Sequence, residues 1–194
     1  MLAAIYRVTK LRGVVKVNET YFGGKESNKH VSKKLNAGRR AVGKTAVVGI
    51  KERGGETRAA PVTDTSANTL HGQLLSKVEK GSTVYSDEHG GYQGIDVFLN
   101  HETVKHSVAK YVKGQAHTNE IESFWSMMKR GYEGVYHKIS PKHLHRYVDE
   151  FAGRHNIRKF DTLVQMVEVV RNFEGKRMTY EQLVADNQAT VGVA

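Results

Sequence analysis

The chain has 194 residues, with 30 Lys+Arg against 20 Asp+Glu, a formal net charge of +10 and 39% hydrophobic residues. That length suits one domain that buries a core without staples, and the absence of cysteine excludes disulfide frameworks, thiol catalysis and Cys-based zinc sites. No apolar run approaches the ~20 residues that cross a bilayer. The start, Met1 to Arg7, has no charged head before an apolar stretch, so the expectation is a cytoplasmic protein with no membrane partner. A pI near 9.7 points to a polyanion, nucleic acid first, with a merely solvated basic surface as the plain alternative.

Three β-like runs open the chain: Val14 to Val17, Ala46 to Ile50 and Thr57 to Val62, the last two joined by Gly54-Gly55 as a hairpin. Thr65-Ser66 can cap a helix over Ala67 to Lys80, where Leu70, Leu74, Leu75 and Val78 fall at helical spacing and Gly81 follows. Ser82 to Ser86 reads as a fourth strand running into Asp87, Gly91 to Leu99 as a short helix, and His101 to Val108 as a fifth strand. Helices are expected over 118–132, 141–154 and 161–172. The stretch Gly23 to Lys44 has no period and reads as a long basic loop.

Charge is uneven. Lys25 to Arg53 holds nine basic residues and two acidic ones, and a second basic stretch runs from Lys129 to Lys159. Two basic regions beside an α/β core could clamp phosphates, with binding that weakens steeply with salt. The candidate DNA contacts are Lys33, Lys34, Arg39, Arg40, Lys44, Arg130, Lys142, His143 and Arg146.

Two motifs fail on context. Gly38 to Thr45 matches G-x-x-x-x-G-K-[ST], but that phosphate loop needs a strand before it and a helix after it. Here polar, basic residues precede it and the strand-like Ala46 to Ile50 follows. His101 and His106 are five apart, whereas a helical zinc-protease pair must be four apart to share a face.

The constellation with chemistry is Asp87, at a strand end beside Gly90-Gly91, and, with 34 residues intervening, Glu122 in His117-Thr118-Asn119-Glu120-Ile121-Glu122-Ser123-Phe124-Trp125. On a helix Ile121, Phe124, Trp125 and Met128 form an apolar stripe, and Asn119, Glu122, Ser126 and Lys129 the polar one. Two carboxylates meeting from a strand end and a helix make a hard-oxygen site of the kind Mg²⁺ or Mn²⁺ takes; an ordinary surface helix is the bland reading.

Val15-Lys16-Val17-Asn18-Glu19-Thr20-Tyr21-Phe22-Gly23-Gly24-Lys25, Val84-Tyr85-Ser86-Asp87 and His117 to Ser126 carry a resemblance. So do Lys129-Arg130-Gly131, Ile139 to Tyr147 and Phe151-Ala152-Gly153-Arg154. Over roughly residues 13–160 the chain resembles the catalytic domain of bacterial insertion-sequence transposases of the DDE superfamily, in the ISXO-type subgroup whose full-length members carry an N-terminal zinc ribbon. The resemblance implies an α/β, RNase H-like fold: a mixed five-stranded sheet flanked by helices. It implies a two-ion Mg²⁺ or Mn²⁺ site for DNA strand nicking and strand transfer. Asp87 would be the second metal ligand and Glu122 the third acidic member, with Asn119 as competitor because some relatives use Asn. Lys129 would touch the DNA end near the scissile phosphate. DNA, as element ends and target, is the implied partner, with a homo-oligomer in a transposition complex.

The sequence departs from that pattern at the first acidic position, where the family motif V-D-E-T has Asp and this chain has Asn18. An amide adds no negative charge, and Glu19 points to the other face of a strand. A weakened metal site and impaired catalysis are therefore expected, with fold and DNA affinity retained. Residues 1–12 read as a linker remnant, 13–160 as the catalytic domain and 161–194 as a helical extension. A non-catalytic DNA-binding remnant or domesticated protein is the alternative, and an interaction module with incidental charge a third reading.

Overall fold

The computed structural model describes residues 9–24, 26–34, 42–104 and 119–185. Strand β1 (Val14–Phe22) alternates: Val15 and Val17 are buried on one face, and Lys16, Asn18, Thr20 and Phe22 share the other. It runs five residues past the expected Val17 because β2 (Thr45–Glu52) pairs antiparallel with it from Val15↔Glu52 to Phe22↔Thr45, giving its polar second half a ladder. Gly54, at φ 67°, makes the left-handed turn into β3 (Thr57–Val62), which pairs antiparallel with β2.

Helix α1 (Ala67–Lys77) crosses back so that β4 (Thr83–Ser86) lies parallel to β1, with Lys16 beside Tyr85. The helix ends three residues before the expected Lys80, because Val78 turns extended and bridges Leu11: Leu11 donates to the Lys77 carbonyl and Glu79 to the Leu11 carbonyl. Leu11 itself is 2% exposed and belongs to the core. In place of one helix over Gly91 to Leu99 there are two short 3-10 turns, Gly90–Tyr92 and Ile95–Val97, parted by Gly94 at φ 84°. Strand β5 (Asn100–Thr103) is shorter than the expected His101 to Val108, of which 105–108 lie outside the described residues, and pairs parallel with β4.

The sheet order is therefore β3-β2-β1-β4-β5, three antiparallel strands followed by two parallel ones, with helices on both faces. This is the RNase H-like arrangement. One face buries Val15, Val17, Val48 and Ile50 against α1. The other buries Phe22, Val47 and Ala59 beneath α2 (Asn119–Gly131) and α3 (Leu144–Ile157). Beyond Gly131 the helix expected to reach 132 widens into a π turn, Tyr132–Tyr136. The helix expected from 141 begins with a 3-10 turn, Pro141–His143, which Pro141 opens without needing an N–H. Helix α4 (Thr162–Phe173) is capped by the Asp161 carboxylate, which accepts from Leu163 and Val164. A short helix, α5 (Tyr180–Val184), is held by a capping box of Thr179 and Gln182 that the sequence reading left out. The basic loop has two 3-10 turns, Glu26–Asn28 and Val31–Lys33; its residues 25 and 35–41 lie outside the described residues.

Candidate active site

The candidate site draws on the middle of β1, where Asn18 lies, and on Asp87 directly after β4. The parallel register of the two strands pairs Lys16 with Tyr85, so Asn18 and Asp87 each lie two residues beyond a paired position. Asp87 is half-buried; its carboxylate accepts from the His89 N–H at 3.1 Å, which holds the turn after the strand. Ser86, fully buried, donates its hydroxyl proton to the Asp87 carbonyl at 2.8 Å and has His101 Nε2 at the same distance. A hydroxyl has one proton to give, so His101 is the donor to Ser86.

Helix α2 covers this face. Its expected apolar stripe, Ile121, Phe124, Trp125 and Met128, is buried, and Glu122, Ser126 and Lys129 are exposed along its edge. Asn119 opens the helix. Trp125 packs against Gly49, the residue paired with Asn18 across β1 and β2: a Cβ on Gly49 would come within 2.8 Å of the indole Cη2. From there the indole Nε1 donates to Asn18 Oδ1 at 3.1 Å. An indole nitrogen is donor only, so it takes the amide's oxygen and turns the NH₂ end of Asn18 to the remaining space.

Lys16, on the same face as Asn18, reaches Glu122 Oε1 at 3.8 Å; its side chain is 11% exposed and that of Glu122 52%. Burial pulls the Lys16 ammonium below the usual lysine range, while Glu122 and Asp87 both favour its charged form. Glu19 faces the opposite side, where its carboxylate accepts from the buried Tyr92 hydroxyl at 2.7 Å. Burial raises the Glu19 pKa, the Tyr92 bond lowers it and the Asp87 charge raises it again. Among the described residues no group of three or more His, Asp and Glu stands where it could hold a metal ion.

A family model described as the ISXO2-like transposase domain matches residues 10–156. The chain belongs to that family. Comparison with curated proteins gives no match. A similar solved structure is the catalytic core domain of BIV integrase, 10% identical at a TM-score of 0.48, with 81% of this chain and 93% of that chain covered.

In this ISXO2-like domain the basic residues singled out in the sequence fall in three places. Lys33 and Lys34 close the second 3-10 turn of the loop, and Lys44 packs against Gly23 just before β2. Arg39 and Arg40 lie outside the described residues. Lys129 and Arg130 are exposed in the last turn of α2. Lys142 and His143 lie in the turn before α3 and Arg146 in its first turn; Lys142 donates to the Val184 carbonyl at 2.6 Å, and Arg146 meets the Met178 sulfur. The C-terminal segment thus engages two of the expected DNA contacts. Sequence reasoning missed Lys16 and Gly49 as parts of the site. The signal for Lys16 was present, since strand alternation puts residues 16 and 18 on one face. Nothing local marked Gly49, whose role depends on an indole 76 positions away in the chain.

Proposed function

We propose that this chain is a DNA-binding transposase catalytic domain, impaired in strand nicking and strand transfer at its first acidic position. What supports the reading is the match of residues 10–156 to the ISXO2-like transposase domain, together with Asn18, an amide where the family motif has a carboxylate, two residues along β1 from Lys16, which pairs with Glu122. Residues 13–160 would be that domain and 161–194 an extension, helical over Thr162–Phe173 and Tyr180–Val184.

Relatives of the wider superfamily work with divalent ions, and the donor set here does not fit them. Hard ions take oxygen donors and are held most strongly by carboxylates. Asn18 offers its NH₂ end because Trp125 holds its oxygen, and Glu122 already faces an ammonium. Two carboxylates are left, one of them facing the Lys16 ammonium, so no phosphoryl-transfer step is drawn through these ions. What the chain's own residues do is hold DNA. Lys129 and Arg130 at the end of α2, with Lys33, Lys34 and Lys44 from the loop side, give cations to phosphates, and the +10 charge steers the polyanion in. No helix among the described residues is long and apolar enough to cross a membrane.

The test is duplex-DNA binding by fluorescence anisotropy across a salt series, together with a nicking assay in Mn²⁺. We expect affinity to fall steeply with salt and no nicked product. Lys129→Ala should flatten the log–log salt slope by about 0.9, the share of one phosphate contact. Nicking by the unmodified chain would overturn the impairment, and salt-insensitive or absent binding would overturn the DNA reading.

A further inference from the structure

We infer that the Lys16 ammonium is the resident cation of the acidic site and excludes divalent ions from it, so that restoring a carboxylate at position 18 alone does not restore ion binding. The inference rests on the transposase reading above and adds a residue that the resemblance assigns no role.

Lys16 stands two residues before Asn18 on the face of β1 that α2 covers, and one strand position away its neighbour across β4 is Tyr85, two before Asp87. Its Nζ reaches Glu122 from beneath: the lysine is almost wholly enclosed, at 11% exposure, while the carboxylate it meets is 52% exposed. A lysine whose ammonium lies in solvent can swing aside when a stronger cation arrives. This one is 11% exposed and ends against a residue of α2, so moving it opens buried surface. The Asp87 charge favours the ammonium as well. A divalent ion coming to Asp87 and Glu122 therefore meets a like charge already in place. It also meets the NH₂ end of Asn18, turned inward by Trp125. These are two separate obstacles. Replacing Asn18 by Asp removes only the second, because an aspartate gives one oxygen to the indole and keeps the other for an ion.

The experiment is a titration of Mn²⁺ alone into the full chain, with free Mn²⁺ read by its paramagnetic resonance signal. It is run on the unmodified protein, Asn18→Asp, Lys16→Met and the double variant, with thermal melts recorded on each. The expected result is weak binding by the first three and an affinity about 10- to 100-fold higher in the double variant than in Asn18→Asp. Equal affinity in Asn18→Asp and the double variant overturns the inference, as does a double variant that binds no Mn²⁺. If Lys16→Met melts early, Lys16→Gln carries the same comparison. Metal-free DNA binding by the same proteins reads the transposase assignment separately: folded proteins that ignore DNA overturn that assignment, whatever the Mn²⁺ titration gives.

Discussion

The closeness of Trp125 to Gly49 makes Gly49→Ala a measurable wedge. A Cβ there would come within 2.8 Å of the indole Cη2 and 3.0 Å of Ile121 Cδ1, and nearer still to Cζ2. Carbon atoms attract at about 3.5–4.0 Å, so the indole must lift by about 1 Å. That lift carries Nε1 from 3.1 Å to about 4 Å from Asn18 Oδ1, beyond hydrogen-bond reach. Overpacking costs about 1–3 kcal/mol and the lost bond about 0.5–1.5 kcal/mol. The lower chain entropy of alanine in a strand returns about 0.5–1 kcal/mol. The net loss is about 2 kcal/mol, which at a urea slope of about 2 kcal/mol/M lowers the midpoint by about 1 M. Trp125 is the only tryptophan and is 4% exposed, so its emission reports the lift directly as a red shift in the native state. A midpoint within about 0.2 M of the parent, with unchanged emission, would refute the claim that the glycine exists to seat the indole.

Two further outcomes follow from buried groups. Leu11→Ala should cost about 2–5 kcal/mol by chemical denaturation, since Leu11 is enclosed in the core and its backbone is tied to Lys77 and Glu79; a loss under about 1 kcal/mol would make residues 9–12 an appendage. His155 is enclosed, its Nδ1 facing the donor Arg158 at 2.6 Å, and burial followed by the Arg158 and Lys51 charges pulls its pKa down to about 4. The unfolded chain takes that proton near the ordinary histidine value of about 6.5, so the imidazole's contribution is lost as pH falls from there toward 4. Asp149, pushed up to about 6 by burial, works the other way, losing stability as pH rises from the ordinary aspartate range to about 6. The pH slope of the parent is therefore partly cancelled. The stability advantage of the parent over His155→Gln should grow as pH rises from 4.5 to 6.5 in denaturation series, and a constant gap would refute the assignment.

The central strands were legible because Val15, Val17, Val48 and Ile50 are β-branched residues that pack a buried sheet, and that choice is local. The α2 stripe was legible for the same reason, its period being visible over ten residues. Where the reading ran long or short, a partner distant in the chain decided. Val78 left its helix to bridge Leu11, and the polar residues Asn18 to Thr20 remained strand because β2 supplied their ladder. The acidic site was half legible. The spacing from Asp87 to Glu122 and the missing Asp at position 18 stand in the sequence, but which way an amide turns depends on an indole folded over a glycine from another strand.

Helix α4 follows the matched domain and leaves Leu163, Met166, Val170 and Phe173 in solvent. At low ionic strength the +10 charge keeps copies of the chain apart, so this face stays wet without cost to the solution. Raising the salt shortens the reach of that repulsion to a Debye length of about 8 Å near physiological strength, while the attraction between apolar faces does not weaken. The conditions expected to weaken the proposed DNA binding are thus the ones that favour the protein's own association. A bound fraction measured against salt carries a colloidal signal on top of the electrostatic one, and light scattering at each salt step is what separates them.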